Sequence, residues 1–180
     1  MRTQEMYDLM SKTDSHLEGR AYALSILREE EKGFDFLFKY TFVEDDPIQA
    51  ISSYILDDYL CQCPLLIEPC IVKFVEQIAT VKNESVKRIV SKILIRVLTK
   101  QKELLNKELK EKIVEYSLSW LVDGSKVATE ANAMELLTKL RKEYAEAFAI
   151  GAEMIEINYY SRSIAYQNKG KKYLALHKKN

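Results

Sequence analysis

The chain has 180 residues with 27 lysines and arginines against 27 aspartates and glutamates, so its formal net charge is zero and bulk charge counts against a general nucleic-acid or membrane-surface binder. The length suits one domain with a sizeable core. With only five glycines, three prolines and 30% charged residues, the composition argues against a turn-rich β protein and makes helix the expectation throughout.

Residues 3 to 11 read as a short helix, and Asp14 or Ser15 caps a longer one in which Leu17, Ala21, Leu24 and Leu27 share a face up to Gly33. Glu5 and Asp8 stand where a secretory leader needs an apolar run. No later stretch is long and uncharged enough to span a bilayer, which predicts a cytoplasmic chain with no membrane partner. The run REEEK at 28 to 32 reads as a solvated helix end.

Phe34, Phe36, Phe38, Tyr40 and Phe42 alternate strictly, the spacing of a strand. Helix is still expected, because Phe34, Leu37, Phe38 and Phe42 also fit steps of three and four and a lone strand would have no sheet to join. Asp46 and Pro47 open the next helix, with Pro47 at its first position and Ile48, Ile51, Ile55 and Leu56 inward. Asp57 and Asp58 near its far end oppose the helix dipole and need a cation or solvent to compensate them.

Cys61, Cys63 and Cys70 are odd in number and fit a reducing compartment as buried free thiols. Cys-x-Cys lacks zinc-site spacing, and the only histidines, His16 and His177, lie near the two ends, so neither metal nor cofactor is expected. A helix starting or kinking at Pro69 turns Ile71, Val72, Val75 and Ile78 inward.

The most informative stretch is Asn83 to Lys100, NESVKRIVSKILIRVLTK. Val86, Ile89, Val90, Ile93, Leu94, Val97 and Leu98 make one apolar face, and Asn83 caps the first turn. Arg88, Lys92, Arg96 and Lys100 form a basic ridge at i, i+4 spacing on the other side. That ridge is the candidate partner-binding site and the candidate counter-charge for Asp57 and Asp58.

Residues 101 to 122 read as one helix with Glu103–Lys107 and Glu108–Lys112 pairs outside and Trp120 inside. Asp123-Gly124-Ser125 make a turn, and Val127, Ala131, Met134 and Leu137 start another apolar face. Tyr144 to Ile157 is a helix in which Gly151 admits a close neighbour. Ser161 caps the last helix, whose stretch to Asn180 holds six basic residues and no acid, the pattern of a frayed basic terminus.

Asp46 before Ile48, Asn83 before Val86 and Asp123 before Val127 align three helices at offsets of 38 and 41, near the period of helix-pair solenoids. The expected organisation is a single domain over 1–180. It has a helical cap at 1–32, three pairs over 33–142 (33 to 61, 64 to 100 and 101 to 142), and a second cap at 143–180. ESVKRIVSKIL and GSKVATEANAMELL resemble the second helix of a HEAT or armadillo repeat, and LLIEPCIVKFV resembles a HEAT first helix with its proline. The resemblance implies an all-α fold of the α-α superhelix type, a short HEAT-like solenoid of antiparallel pairs.

From Ser85 onward, VKRIVSKI, DGSKVATEANAMELLTKL and YYSRSIAYQNKGKKYL are similar to a family of small bacterial all-helical proteins often labelled adenylosuccinate lyase. That similarity implies a helical-repeat fold and leaves the activity unassigned. The lyase's signature loop, a serine ahead of a Met-Pro-x-Lys-x-Asn run, has no counterpart here.

The sequence also has no Gly-rich phosphate loop, no Gly-x-Ser-x-Gly and no His-Glu-x-x-His. The expected function is therefore a non-catalytic binding module for a protein or peptide with an acidic segment, held by Arg88, Lys92, Arg96 and Lys100. The alternatives are phosphate-backbone binding to nucleic acid through the same cations, as in some HEAT-like proteins, or an unrecognised enzyme, the lyase included.

Overall fold

The structure, a computed structural model, describes residues 1–178 and is all-helical: ten α-helices and short 3-10 turns, with no strand among the described residues. Contacts group the chain into two compact units, Met1–Ile93 and a second beginning at Leu94. Among the described residues, no helix is long and apolar enough to cross a membrane.

The first unit contains α1 (Thr3–Lys12), α2 (Leu17–Arg28), α3 (Gly33–Thr41), α4 (Gln49–Gln62), a 3-10 stretch over Pro64–Cys70, α5 (Ile71–Gln77) and the opening turns of α6 (Glu84–Lys100). Helices α2 and α3 pack on α4, and α1 packs on α2 and α3. Residues 34 to 41 are helical with Phe42 as the cap, and the alternating aromatics resolve into two i, i+4 ladders. Phe34, Phe38 and Phe42 follow one another at 6.2 and 5.4 Å between ring centroids, and Phe36 and Tyr40 at 4.6 Å. One ladder ends on Phe74 of α5, 5.5 Å from Phe42. The other ends on Tyr7 of α1, 5.4 Å from Tyr40. A spacing of two contains a spacing of four, so both periods describe the same residues, and neighbouring helices decide in favour of the helix.

Several local expectations are corrected. On α2 the inward residues are Ala23, Leu24 and Leu27; Leu17 and Ala21 face outward, and the helix ends at Arg28. Pro47 lies in the turn before α4, where Asp46 Oδ1 accepts the Ile48 N–H at 3.0 Å and moves the helix start to Gln49. Ile48, Ile51, Ile55 and Leu56 are buried as expected. Pro69 lies inside the 3-10 stretch, because it lacks the N–H an α-helix needs there. On α5 the inward residue is Phe74 rather than Val72, which is half exposed. Cys61 is exposed, and Cys63 and Cys70 are partly so.

In the second unit the expected helix over 101–122 is broken: a 3-10 turn at Lys102–Leu104 precedes α7 (Lys107–Val122), capped where Asn106 Oδ1 accepts the Leu109 N–H at 2.9 Å. The cap separates Glu103 from the helix, so Lys107 pairs with Glu111 at 3.7 Å, while Glu108–Lys112 forms at 3.1 Å as expected. Helix α8 (Val127–Leu140) packs on α7, α9 (Ala145–Asn158) packs on both, and α10 (Ile164–His177) packs on α8 and α9. Gly124 turns the chain at φ 67°, in the left-handed region glycine allows.

The cap of α10 is Ser163, whose Oγ accepts the Tyr166 N–H at 3.4 Å; Ser161 lies in the preceding 3-10 turn. The basic tail is helical through His177 and buries Tyr166 and Tyr173; Lys179 and Asn180 lie outside the described residues.

Candidate functional site

The seven apolar positions of α6 are all buried, and Asn83 Oδ1 accepts the Ser85 and Val86 N–H groups at 2.9 and 3.4 Å. With that face inward, Arg88 and Lys92 stand outward in the first unit. Arg96, half-buried, and Lys100, exposed, belong to the second unit.

Within the first unit, α4 supplies the groups that meet the ridge. It is buried almost all round, polar Ser52, Ser53 and Asp57 included, because its neighbours cover it on several sides. Asp57 is 2% exposed and accepts from Lys92 Nζ at 2.7 Å. Asp58, one residue on, is answered by Arg20 of α2, whose Nε lies 3.1 Å from Oδ2. The Arg20 N–H does not point along that line, so the contact is an ion pair and not an aligned hydrogen bond. Tyr54, one turn earlier, carries two guanidinium groups over its ring: Arg20 at 5.7 Å and Arg88 at 5.6 Å from the centroid. Lys87 pairs with Glu84 at 2.9 Å.

The cluster therefore joins three helices through three cations, two carboxylates and a ring. Tyr54 and Asp57 are three residues apart on α4, and Arg88 and Lys92 four apart on α6, so each pair occupies one helix face and the two faces mate. The expected link between Asp57 and the ridge is present through Lys92; Asp58 turns to Arg20, which sequence reasoning did not single out. Nothing in the spacing of α2 marks Arg20, since its role depends on how α2 crosses α4.

A second polar cluster, also without a sequence signal, lies in the second unit. Glu130 of α8 is fully buried, and Arg162 Nη2, from the connection between α9 and α10, lies 3.1 Å from its carboxylate. Arg162 also lies over the Tyr166 ring at 5.8 Å. Burial first, and the charge of Glu130 second, raise the Tyr166 phenol above its ordinary pKa. A Cβ on Gly124 would come within 3.2 Å of Arg162 Nη2, so the glycine also makes room for the guanidinium.

The Cys70 thiol offers little chemistry. Burial pushes the Cys70 thiol up to about 11, and it donates to the Leu66 and Ile67 carbonyls, which keeps it a protonated, weakly nucleophilic group at neutral pH. No group of three or more His, Cys, Asp or Glu side chains that could hold a metal ion occurs among the described residues. Compared with protein families, with curated proteins and with solved structures, the chain matches none.

Proposed function

We propose that the protein is a non-catalytic helical-repeat binding module of the HEAT or armadillo kind, which holds an acidic segment of a partner protein through the basic ridge. The observation that carries the reading is the setting of Arg88. It is exposed, and its guanidinium is oriented by the Tyr54 ring beside the half-exposed Lys92. A cation held in one orientation loses less conformational freedom when a carboxylate arrives than a free surface lysine does, and guanidinium suits bidentate carboxylate recognition. The packed pairs α3–α4 and α7–α8 coincide with two of the three helix pairs expected from the repeat, which supports the solenoid reading.

The test is fluorescence anisotropy with a labelled poly-glutamate peptide, run in parallel with a labelled DNA duplex. The peptide is expected to bind in a salt-dependent manner, and Arg88→Glu is expected to abolish binding while the helical circular dichroism is unchanged. Peptide affinity unaltered by Arg88→Glu would reduce the ridge to a solvated face. Tighter binding of the duplex would favour phosphate-backbone recognition instead.

A further inference from the structure

We propose that the outer surface of the α9–α10 hairpin is the contact between two copies of this chain, related by a two-fold axis that runs along the hairpin. The two helices lie antiparallel and close. Phe148 stands 6.0 Å from His177 between ring centroids, a Cβ on Gly151 would come 2.6 Å from Tyr173 Oη, and one on Gly170 would come 2.8 Å from Ile155 Cγ2. Residue 148 is thus level with 177, 151 with 173 and 155 with 170. Each helix shows solvent a stripe at steps of four, three and four: Glu146, Ile150, Glu153 and Ile157 on α9, and Ile164, Asn168, Lys171 and Ala175 on α10. That spacing is the seam of a helix pair. Ile157, Tyr160 and Ile164, around the connection, are 82%, 90% and 75% exposed, apolar surface that a partner would take out of water.

The charges point to a second copy as that partner. Helix α9 carries Glu146, Glu153 and Glu156 and no base, whereas α10 carries Lys169, Lys171 and Lys172 and no acid. Lys169 is taken by Glu135 of α8 at 2.7 Å. The other five have no ion-pair partner among the described residues, so an acidic and a basic helix lie side by side without neutralising each other. A two-fold axis along the hairpin sets α9 of one copy across α10 of the other and leaves every height unchanged. Acid then meets base. Glu153 comes level with Lys171 and Lys172 of the second copy, Ile150 with Ala175, and Glu146 lies near Lys178. An axis across the helices would instead set α9 on α9, acid against acid. A different protein would have to present both charges in the same order, which a second copy does by symmetry. At 1.5 Å per residue the 14 residues of each helix span about 21 Å, so the shared face is small and the dimer weak.

This inference concerns the second unit and stands apart from the acidic-segment reading at Arg88, so the two can fail separately. The experiment is sedimentation equilibrium of the full chain under reducing conditions, which keep the exposed Cys61 from linking copies. The parent chain is expected to pass from monomer to dimer between about 1 and 200 μM and to dissociate as salt rises. Glu146→Lys with Glu153→Lys, and separately Lys171→Glu with Lys172→Glu, are each expected to weaken the dimer at least about ten-fold while the helical circular dichroism is unchanged. An equimolar mixture of the two variants is expected to restore it, since each reversed helix then faces the opposite charge. A parent chain still monomeric at about 200 μM, a dimer unchanged in either variant, or a mixture that stays monomeric would overturn the proposal.

Discussion

Asp57 and Lys92 form an asymmetric pair: the carboxylate is 3% exposed at its side chain and the ammonium 56%, with 2.7 Å between Oδ2 and Nζ. The carboxylate has given up most of its water and the lysine has not. Deleting the lysine therefore costs more than deleting the acid, because only the first change leaves a buried charge short of a partner. Lys92→Ala is expected to destabilise the fold by about 1–3 kcal/mol, below the usual figure for breaking a buried pair because Lys92 is itself half in water. Adding Asp57→Asn to Lys92→Ala is expected to recover part of the loss. Urea denaturation of the two single variants and the double variant measures it; strict additivity would show that the pair is not coupled.

Glu130 and Arg162 carry the same logic further, since Glu130 is fully buried and Arg162 is 30% exposed at its side chain. Arg162→Ala is expected to cost about 2–4 kcal/mol, and Glu130→Gln in that background to restore stability, because a neutral amide tolerates burial better than a carboxylate. Thermal unfolding of the variants decides it. If Glu130→Gln worsened Arg162→Ala, the ion pair would not be what Arg162 contributes.

Gly151 is set by packing and not by backbone conformation. A Cβ there would lie 2.6 Å from Tyr173 Oη and 3.0 Å from Leu137 Cδ1. The hydroxyl cannot move away without losing its bond to the Phe148 carbonyl. Alanine gains up to about 1 kcal/mol in helix propensity. The overlap opposes this by about 1–3 kcal/mol, so Gly151→Ala is expected to be destabilising overall. Tyr173→Phe, which removes the clashing oxygen, is expected to relieve part of that loss in the double variant, as read by chemical denaturation.

The Glu143 carboxylate lies below its ordinary value of 4.5, held there first by the hydrogen bond from Lys102 and then by that from Lys110. A carboxyl whose pKa is depressed by folding adds stability above its unfolded pKa and loses it as pH falls through the folded one. The contribution is therefore present at neutral pH and fades in the acid range below about pH 4.5. Because the group is well exposed, the effect is small. Glu143→Gln is expected to be slightly less stable than the parent at pH 7 and to converge with it in acid. A constant gap across that range would show that the two lysine contacts do not depend on charge.

Sequence reasoning located the helices well and their neighbours poorly. The α6 apolar face and its Asn83 cap were legible because both depend on residues within one or two turns. The break at 101–106 was not: Lys102 to Leu104 read as helix formers, and only Asn106, one polar residue in a charged run, marks the true start of α7. Asp57, like Asp58, was recognised as needing a cation or solvent from its place at the wrong end of α4, and Lys92 was among the candidate cations. Arg20 and Arg162 passed unnoticed, since a lone arginine on a helix or in a short connection has the same local pattern whether it faces water or a carboxylate.

By itself the sequence determined an all-helical chain and the inward side of α6, because these follow from propensity and from periods repeated within a few residues. The tertiary structure alone decided that Arg20 answers Asp58, that Arg20 and Arg88 share the Tyr54 ring, and that Glu130 is buried against Arg162. Those partners lie some thirty residues or more apart in sequence, as Lys92 and Asp57 do at 35. Coulomb and dispersion energies depend on distance in space, and that distance is set by how helices cross, a quantity that no period along the chain contains.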